Sequence, residues 1–198
     1  YLIVPILSDV GRNATFTGNV NEDGVYVFGA QLEALPYATS YIPTSGAIAT
    51  RLADSVTGAG DATTFNSTEG VLYAEMAALA DDGTTRRLSI SDGSIGNRVF
   101  IGYNAASAIQ FVIQSSGVIV VNSTFSVSDI TQFSKIAFKY KENDCSFWVD
   151  GVKIGTDTTA SMPTGLNQLL FGQGDTSIPI IGKVKALAVF NEALTDSE

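Results

Sequence analysis

Four side chains have the types that a sugar-reading surface needs: the indole of Trp148, the Tyr103-Asn104 pair and the guanidinium of Arg98. A pyranose ring stacks on an exposed aromatic face, while Asn, Asp, Arg and Gln read its hydroxyls through directed hydrogen bonds. Trp148 alternates with Phe147 and Val149, so on a strand it faces away from both. Tyr103-Asn104 falls at a strand end, where loops build binding rims. The competing assignment for each aromatic is packing beneath a loop or at a subunit contact.

Acid–base and nucleophilic chemistry find less to work with. The chain has no histidine, and Cys145 is its one cysteine, so no internal disulfide forms. Cys145 shares the inward period of its strand and reads as a buried structural thiol. A retaining glycosidase needs two carboxylates about 5 Å apart. Glu69 and Glu75 are six positions apart, which is about 20 Å on an extended strand. Gly172-Gln173-Gly174 lacks the Lys-Ser/Thr and the following helix of a phosphate loop. Asp81-Asp82-Gly83, Asp92-Gly93 and Asp150-Gly151 are turn chemistry first.

Charge narrows the partners further. Twenty acidic residues outweigh eleven basic ones for a formal charge of −9, and only Arg12 and Arg51 precede Arg86. No basic stripe follows a phosphate backbone, so the expectation is no nucleic acid and no anionic membrane surface. The apolar runs are too short for membrane insertion, and no signal peptide is visible. Thr195-Asp196-Ser197-Glu198 has capping-box spacing, which predicts a helix just beginning and a chain excerpted from something longer.

The elements that must position these groups are strands. Ile136, Phe138 and Tyr140 alternate with lysines and an alanine, Glu142-Asn143-Asp144 makes a turn, and Cys145, Phe147 and Val149 resume the inward period. Asp150-Gly151 then forms a two-residue turn of positive φ before Val152 and Ile154. Further strands are predicted over 71–79, 87–91, 98–103, 109–114, 118–121, 168–172 and 183–190. Only 126–133 fits a single helical turn, so crossover helices are lacking and a parallel α/β sheet is excluded. The fold class is all-β, an antiparallel two-sheet jelly-roll sandwich. Residues 1–43 carry a short N-terminal β segment with strands at 2–4 and 24–32, 44–64 form a Ser/Thr/Gly/Ala-rich linker, and 65–198 form the sandwich.

Three stretches carry a family resemblance: the opening strand Glu69-Gly70-Val71-Leu72-Tyr73-Ala74-Glu75, the hairpin Phe147-Trp148-Val149-Asp150-Gly151-Val152, and the closing strand and helix start Gly182-Lys183-Val184-Lys185-Ala186-Leu187-Ala188-Val189-Phe190-Asn191-Glu192-Ala193-Leu194-Thr195-Asp196-Ser197-Glu198. Together they resemble the concanavalin A-like, laminin G-type jelly roll over about two thirds of the chain. Tyr26-Val27-Phe28-Gly29-Ala30-Gln31-Leu32-Glu33 with Tyr37-Ala38-Thr39-Ser40-Tyr41-Ile42-Pro43-Thr44-Ser45-Gly46 looks like a segment that precedes such jelly rolls in bacteriophage tail fibres and related surface proteins.

The resemblance implies a virion, extracellular or cell-surface setting, a homo-oligomer with a trimer favoured, and a cell-surface glycan as partner. It also implies a calcium ion at the sandwich rim as the one cofactor to consider, with Asp81 and Asp82 as ligands and Asp175 or Asp144 converging on them. Glucanases of this fold carry Glu-x-Asp-x-x-Glu and lyases a His or Tyr base beside Arg and Gln. The first run is absent, and Arg86-Arg87 with Tyr103 stand without the rest of the second. The reading is therefore a non-catalytic glycan-binding module. A structural spacer and a polysaccharide-degrading enzyme are the alternatives.

Overall fold

The computed structural model describes residues 30–32, 40–50 and 59–196 and divides the chain into two compact units, Tyr1–Leu52 and Ala53–Glu198. In the first unit the described residues include no strand, and the Ile42 N–H donates to Gln31 Oε1 at 2.6 Å. The strands expected at 2–4 and across most of 24–32 lie outside the described residues, as does the end of the helix start expected at 195–198.

The second unit is built from β1 (Glu69–Ala78), β2 (Arg86–Ser91), β3 (Arg98–Ala105), β4 (Ala108–Ser115), β5 (Val118–Ser126), β6 (Ser134–Lys141), β7 (Cys145–Val149), β8 (Val152–Asp157), β9 (Gln168–Leu170) and β10 (Gly182–Phe190). They form two five-stranded sheets, β10-β1-β6-β7-β8 and β5-β4-β3-β2-β9, named here the β1 sheet and the β3 sheet. Every pairing is antiparallel. The expected all-β sandwich is what the chain adopts. The stretch 126–133 differs from expectation: it makes bends and a turn, because the Asp129 carboxylate accepts the Thr131 N–H at 2.8 Å and stops the chain from winding on.

Period-two alternation sends one row of each strand into the space between the sheets. Phe111 of β4 and Phe125 of β5 meet Phe138 of β6 and Phe147 of β7 there, with ring centroids 5.0–5.9 Å apart. These tilted and edge-on contacts suit the ring quadrupoles and tie the two sheets across the core. The β7–β8 turn has Asp150 at φ 51° and Gly151 at φ 79°, the two positive angles a two-residue hairpin needs.

The same alternation decides which side chains remain on the outer faces. On β3, Val99, Ile101 and Tyr103 point into the core, so Arg98, Phe100, Gly102 and Asn104 face out. On β7, Cys145, Phe147 and Val149 belong to the core, so Trp148 faces out from the other sheet.

Candidate functional site

The outer face of the β3 sheet is a polar platform with one aromatic at its centre, and that centre is closed to solvent: Phe100 is 1% exposed and Arg98 6%, while Asn122 and Thr124 on β5 are exposed. Register places Arg87, Gly102, Gln110 and Thr124 in one row across the strands, and Ser89, Phe100, Val112 and Asn122 in the next. Ser91, Arg98 and Gln114 begin a third. The Arg87 guanidinium lies 4.7 Å from the Phe100 ring centroid and that of Arg98 lies 5.2 Å from it, so the ring sits between two cations.

A strap formed by residues 171–181 follows β9 and folds over this face. Its backbone is tied down by side chains that β2 and β3 project outward. Ser89 Oγ donates to the Gly172 carbonyl at 2.8 Å and Ser91 Oγ to the Gly174 carbonyl at 2.7 Å. Arg98 donates to the Gln173 carbonyl at 2.5 Å, and Arg87 donates to Gln173 Oε1. Gln173 therefore offers one sp² oxygen to each guanidinium.

Burial lowers the pKa of both guanidiniums; at Arg98 the Arg87 charge adds to that effect, and Asp175 opposes it. The Asp175 carboxylate itself accepts the Ser177 N–H at 2.9 Å, and that side chain's hydroxyl also donates to it, which with other contacts depresses its pKa.

Polar groups on this face are only partly used. Gln110 donates to Asn122 Oδ1 at 2.8 Å, Asn104 to Thr124 Oγ1 at 3.4 Å, and Gln114 to the Gly117 carbonyl at 2.9 Å. The other halves of these amides have no partner. Among the described residues, six buried side-chain polar atoms lack a hydrogen bond, and five are here: Arg87 Nε, Arg98 Nε, Asn104 Oδ1, Gln110 Oε1 and Gln114 Oε1. Such atoms are uncommon in folded proteins, and these five have almost no accessible area.

The residues expected from sequence to form one site are separated by the fold. Arg98 and Asn104 lie on the platform. Tyr103 does not, which corrects its placement on a rim. It is 1% exposed inside the sandwich, its hydroxyl reaches the Met76 carbonyl at 3.3 Å, and burial raises its pKa. One residue of shift along a strand exchanges inside for outside, and Asn104 rather than Tyr103 has the outward parity. Trp148 is on the opposite outer face, where its indole N–H donates to Ser146 Oγ at 3.1 Å and Lys153 Nζ lies 5.4 Å from its ring. It shares no surface with Arg98 and Asn104.

The aspartates expected to hold calcium do not converge either. Asp81 accepts the Ser107 N–H at 2.7 Å and its hydroxyl at 2.6 Å. Asp82 accepts from the Thr84 N–H and from the buried Arg86, both at 2.9 Å, and these hold its carboxyl down at about 2. Asp175 belongs to the strap beyond the other end of β2, and that strand's five residue steps span about 17 Å. Asp144 pairs with Lys139 at 3.0 Å on the other sheet. Among the described residues no three His, Cys, Asp or Glu side chains come together as a metal-binding group. Asp81, Asp82, Asp144 and Asp175 each hold local contacts of their own and do not share one site.

Glu69 and Glu75, the remaining carboxylates of interest, lie along β1 in the other sheet. They pair with Lys141 at 2.8 Å and Lys185 at 2.7 Å.

A family model described as the concanavalin A-like lectin/glucanases superfamily matches residues 54–198. The chain belongs to that superfamily. No curated protein sequence matches it. Among solved structures, the Ruminococcus gnavus IT-sialidase CBM40 bound to alpha2,3 sialyllactose aligns over 69% of this chain and 83% of its own, at 17% identity and a TM-score of 0.57. A second structure of that CBM40 aligns over 74% of this chain and 94% of its own, at 16% identity and the same TM-score, 0.57. The leech intramolecular trans-sialidase complexed with 2,7-anhydro-Neu5Ac aligns over 67% of this chain but 22% of its own, at 19% identity and a TM-score of 0.52. At these identities the likeness is one of fold.

The sequence reading missed Arg87, Phe100, Gln110, Asn122 and Gln173 as members of the platform. The available signal was parity: once Val99 and Ile101 are assigned inward, Arg98 and Phe100 must share the outward row. The strap that brings Gln173 onto β2 leaves no periodic trace.

Proposed function

We propose that this chain is a non-catalytic glycan-binding module whose binding face is the accessible β4–β5 side of the β3 sheet's outer surface, with Asn104 at its end. The observation that carries the reading is the group of accessible hydrogen-bonding side chains there, with Asn122 and Thr124 exposed and Asn104 and Gln114 half-buried, because sugar hydroxyls both donate and accept. The superfamily contains lectins, and the structurally similar CBM40 was crystallised with sialyllactose, which supports the same reading.

Hydrolysis is disfavoured because the platform has no pair of free carboxylates. Asp175 is engaged with Ser177, and Glu69 and Glu75 sit on the other sheet in lysine pairs. With no acid–base pair, the module works by hydrogen bonding. Its single-site affinity is weak and is multiplied by copy number. The setting proposed with it is a phage tail fibre or another virion or cell-surface protein, assembled as a homo-oligomer, on the resemblance of the segment from Tyr26 to Pro43.

A glycan array followed by NMR titration of the intact chain tests the reading. Binding of at least one glycan is expected, with shift changes confined to Asn104, Gln114, Asn122, Thr124 and their neighbours. A blank array, or sugar release from a polysaccharide panel, would remove it.

A further inference from the structure

We infer that β5 is an interaction edge for a second copy of this chain, pairing antiparallel with that copy's β5 about a two-fold axis at Thr124. The pairing does not depend on which ligand the module binds.

The four sheet edges are built differently. Strand order leaves β10 and β8 at the ends of one sheet and β5 and β9 at the ends of the other. An open edge presents unpaired N–H and C=O groups, and charge, above all lysine, or shortness keeps other chains from adding to it. β10 carries Lys183 and Lys185, and β8 carries Lys153 and Asp157. β9 is three residues long and runs into the strap. β5 has nine residues, none of them charged and none a proline. The pattern extends beyond the strand, because from Val99 to Ser128 the chain has no Asp, Glu, Lys or Arg. Of the four edges, β5 alone is both long and undefended.

The ladder to β4 shows which backbone groups of β5 are open. The Val127 N–H donates to the Ser107 carbonyl at 2.8 Å, one step past the paired residues Ala108 and Ser126. Hydrogen-bonded pairs alternate along an antiparallel ladder, so Phe125, Ser123 and Val121 turn their backbone groups toward β4. Asn122, Thr124 and Ser126 turn theirs to the open side, and all three residues are exposed. Toward the β4–β5 turn the regular stretch ends at Val120, the extra residue of a bulge: Ile113 pairs with Val121 but Gln114 with Ile119.

Three open positions at a spacing of two have their centre at Thr124. A two-fold axis there sets Thr124 against its own copy and Asn122 against Ser126 in both directions, so each pair exchanges two backbone hydrogen bonds. Self-pairing needs side chains that tolerate their own kind. Threonine facing threonine is a favourable cross-strand pair, and asparagine and serine hydrogen-bond each other. Phe125, half-buried on the inner side, meets Ser123 of the second copy and gains cover along its open flank.

Charge selects the occupant. Each copy carries a net charge of −9, so two copies repel over much of their surface and approach with least repulsion along the charge-free strip. A charged foreign strand finds no counter-charge on this edge. The paired β3 sheets become one continuous sheet, with Asn122 and Thr124 of both copies side by side on its outer face. A contact this short buries on the order of 1,000 Å² or less, the range of weak complexes.

Sedimentation velocity of the intact chain between about 5 and 500 µM tests this, with a monomer–dimer midpoint expected at about 100 µM or below. Thr124→Lys and Thr124→Glu each set like charges against themselves on the axis, and each is expected to weaken dimerisation about tenfold or more. An equimolar mixture of the two restores it, because lysine then faces glutamate. Thermal midpoints establish that both variants fold. Amide exchange of the unmodified chain needs no variant: raising the concentration should slow Asn122, Thr124 and Ser126 and leave Ser123 and Phe125, already bonded to β4, unchanged.

A chain that stays monomeric throughout that range overturns the inference, as does a trimer, or a dimer that Thr124→Lys leaves intact. Dimerisation lost in both charged variants and not restored by mixing them overturns the two-fold register at Thr124. None of these results touches the glycan-binding reading, which rests on a single copy.

Discussion

Replacing Gly174 by alanine asks how firmly the strap is seated on the platform. Gly174 has φ +117°, and a Cβ built there would lie 2.7 Å from the Ser94 carbonyl oxygen and 3.0 Å from Arg98 Cδ. Ordinary contact begins at 3.4 Å, so one peptide group must give way by 0.7 Å or the strap must lift. A non-glycine residue held at such an angle costs about 1–3 kcal/mol. Lifting the strap weakens the bonds from Ser89, Ser91 and Arg98 to its carbonyls, each worth about 1 kcal/mol net.

The two effects are alternatives in part, because a lifted strap relieves the strain, so the expected total is about 3 kcal/mol. Gly151→Ala is the matched control: its φ is +79° and nothing lies within 4 Å, so only the backbone term remains, about 1 kcal/mol. Urea denaturation of both variants reads the difference of about 2 kcal/mol that belongs to the collision. Amide exchange reports where it is spent. Faster exchange at Gln173 and Ile180, whose N–H groups bond to Ser177 and Phe171 within the strap, would mark local lifting. Equal destabilisation by the two substitutions would refute the view that the strap packs tightly against Ser94 and Arg98.

Three other outcomes follow from the same geometry. Trp148, the one tryptophan, sits on the outer face of the β1 sheet, so its emission should stay unchanged when sugar binds; a shift or altered quenching would move the site to that face. Cys145 is 1% exposed and burial pushes its thiol up to about 11, so alkylation at pH 8 should wait for unfolding, and rapid labelling of the folded chain would contradict its core position. Asp61, held at about 2 by the hydroxyls and N–H groups of Thr63 and Thr64, and Asp82, held there by the Thr84 N–H and Arg86, start from 3.8. Their stabilisation is fully present above about pH 4 and is lost as pH falls toward 2, so Asp82→Asn should flatten part of the acid-side decline in urea midpoint; an unchanged profile would argue against the Asp82 contacts.

How far the fold could be read in the residues varies from element to element. Ile136, Phe138 and Tyr140 alternate with polar or small neighbours so regularly that β6 and its inward face needed no coordinates. Asp150-Gly151 likewise specifies its turn, because few other residues accept two successive positive φ angles. Tyr103 shows the limit of that reading. Its strand was legible, but placing it on a rim ignored the parity it shares with Val99 and Ile101. The aspartates show another limit, since Asp81, Asp82 and Asp175 look alike in sequence, yet Asp81 is spent on Ser107 of the β3–β4 turn, Asp82 on Thr84 and Arg86, and Asp175 on Ser177.

Alternation is a property of neighbours along the chain, so strands, their turns and the two-layer class were already written in the amino acids. Which strands lie side by side is set by contacts distant in sequence. Only the order β5-β4-β3-β2-β9 sets Arg87, Phe100, Gln110 and Asn122 on one surface. The strap that lays Gln173 between two guanidiniums joins residues 75 and 86 positions apart, and no local pattern encodes a meeting of that kind. It depends on how the whole sandwich closes.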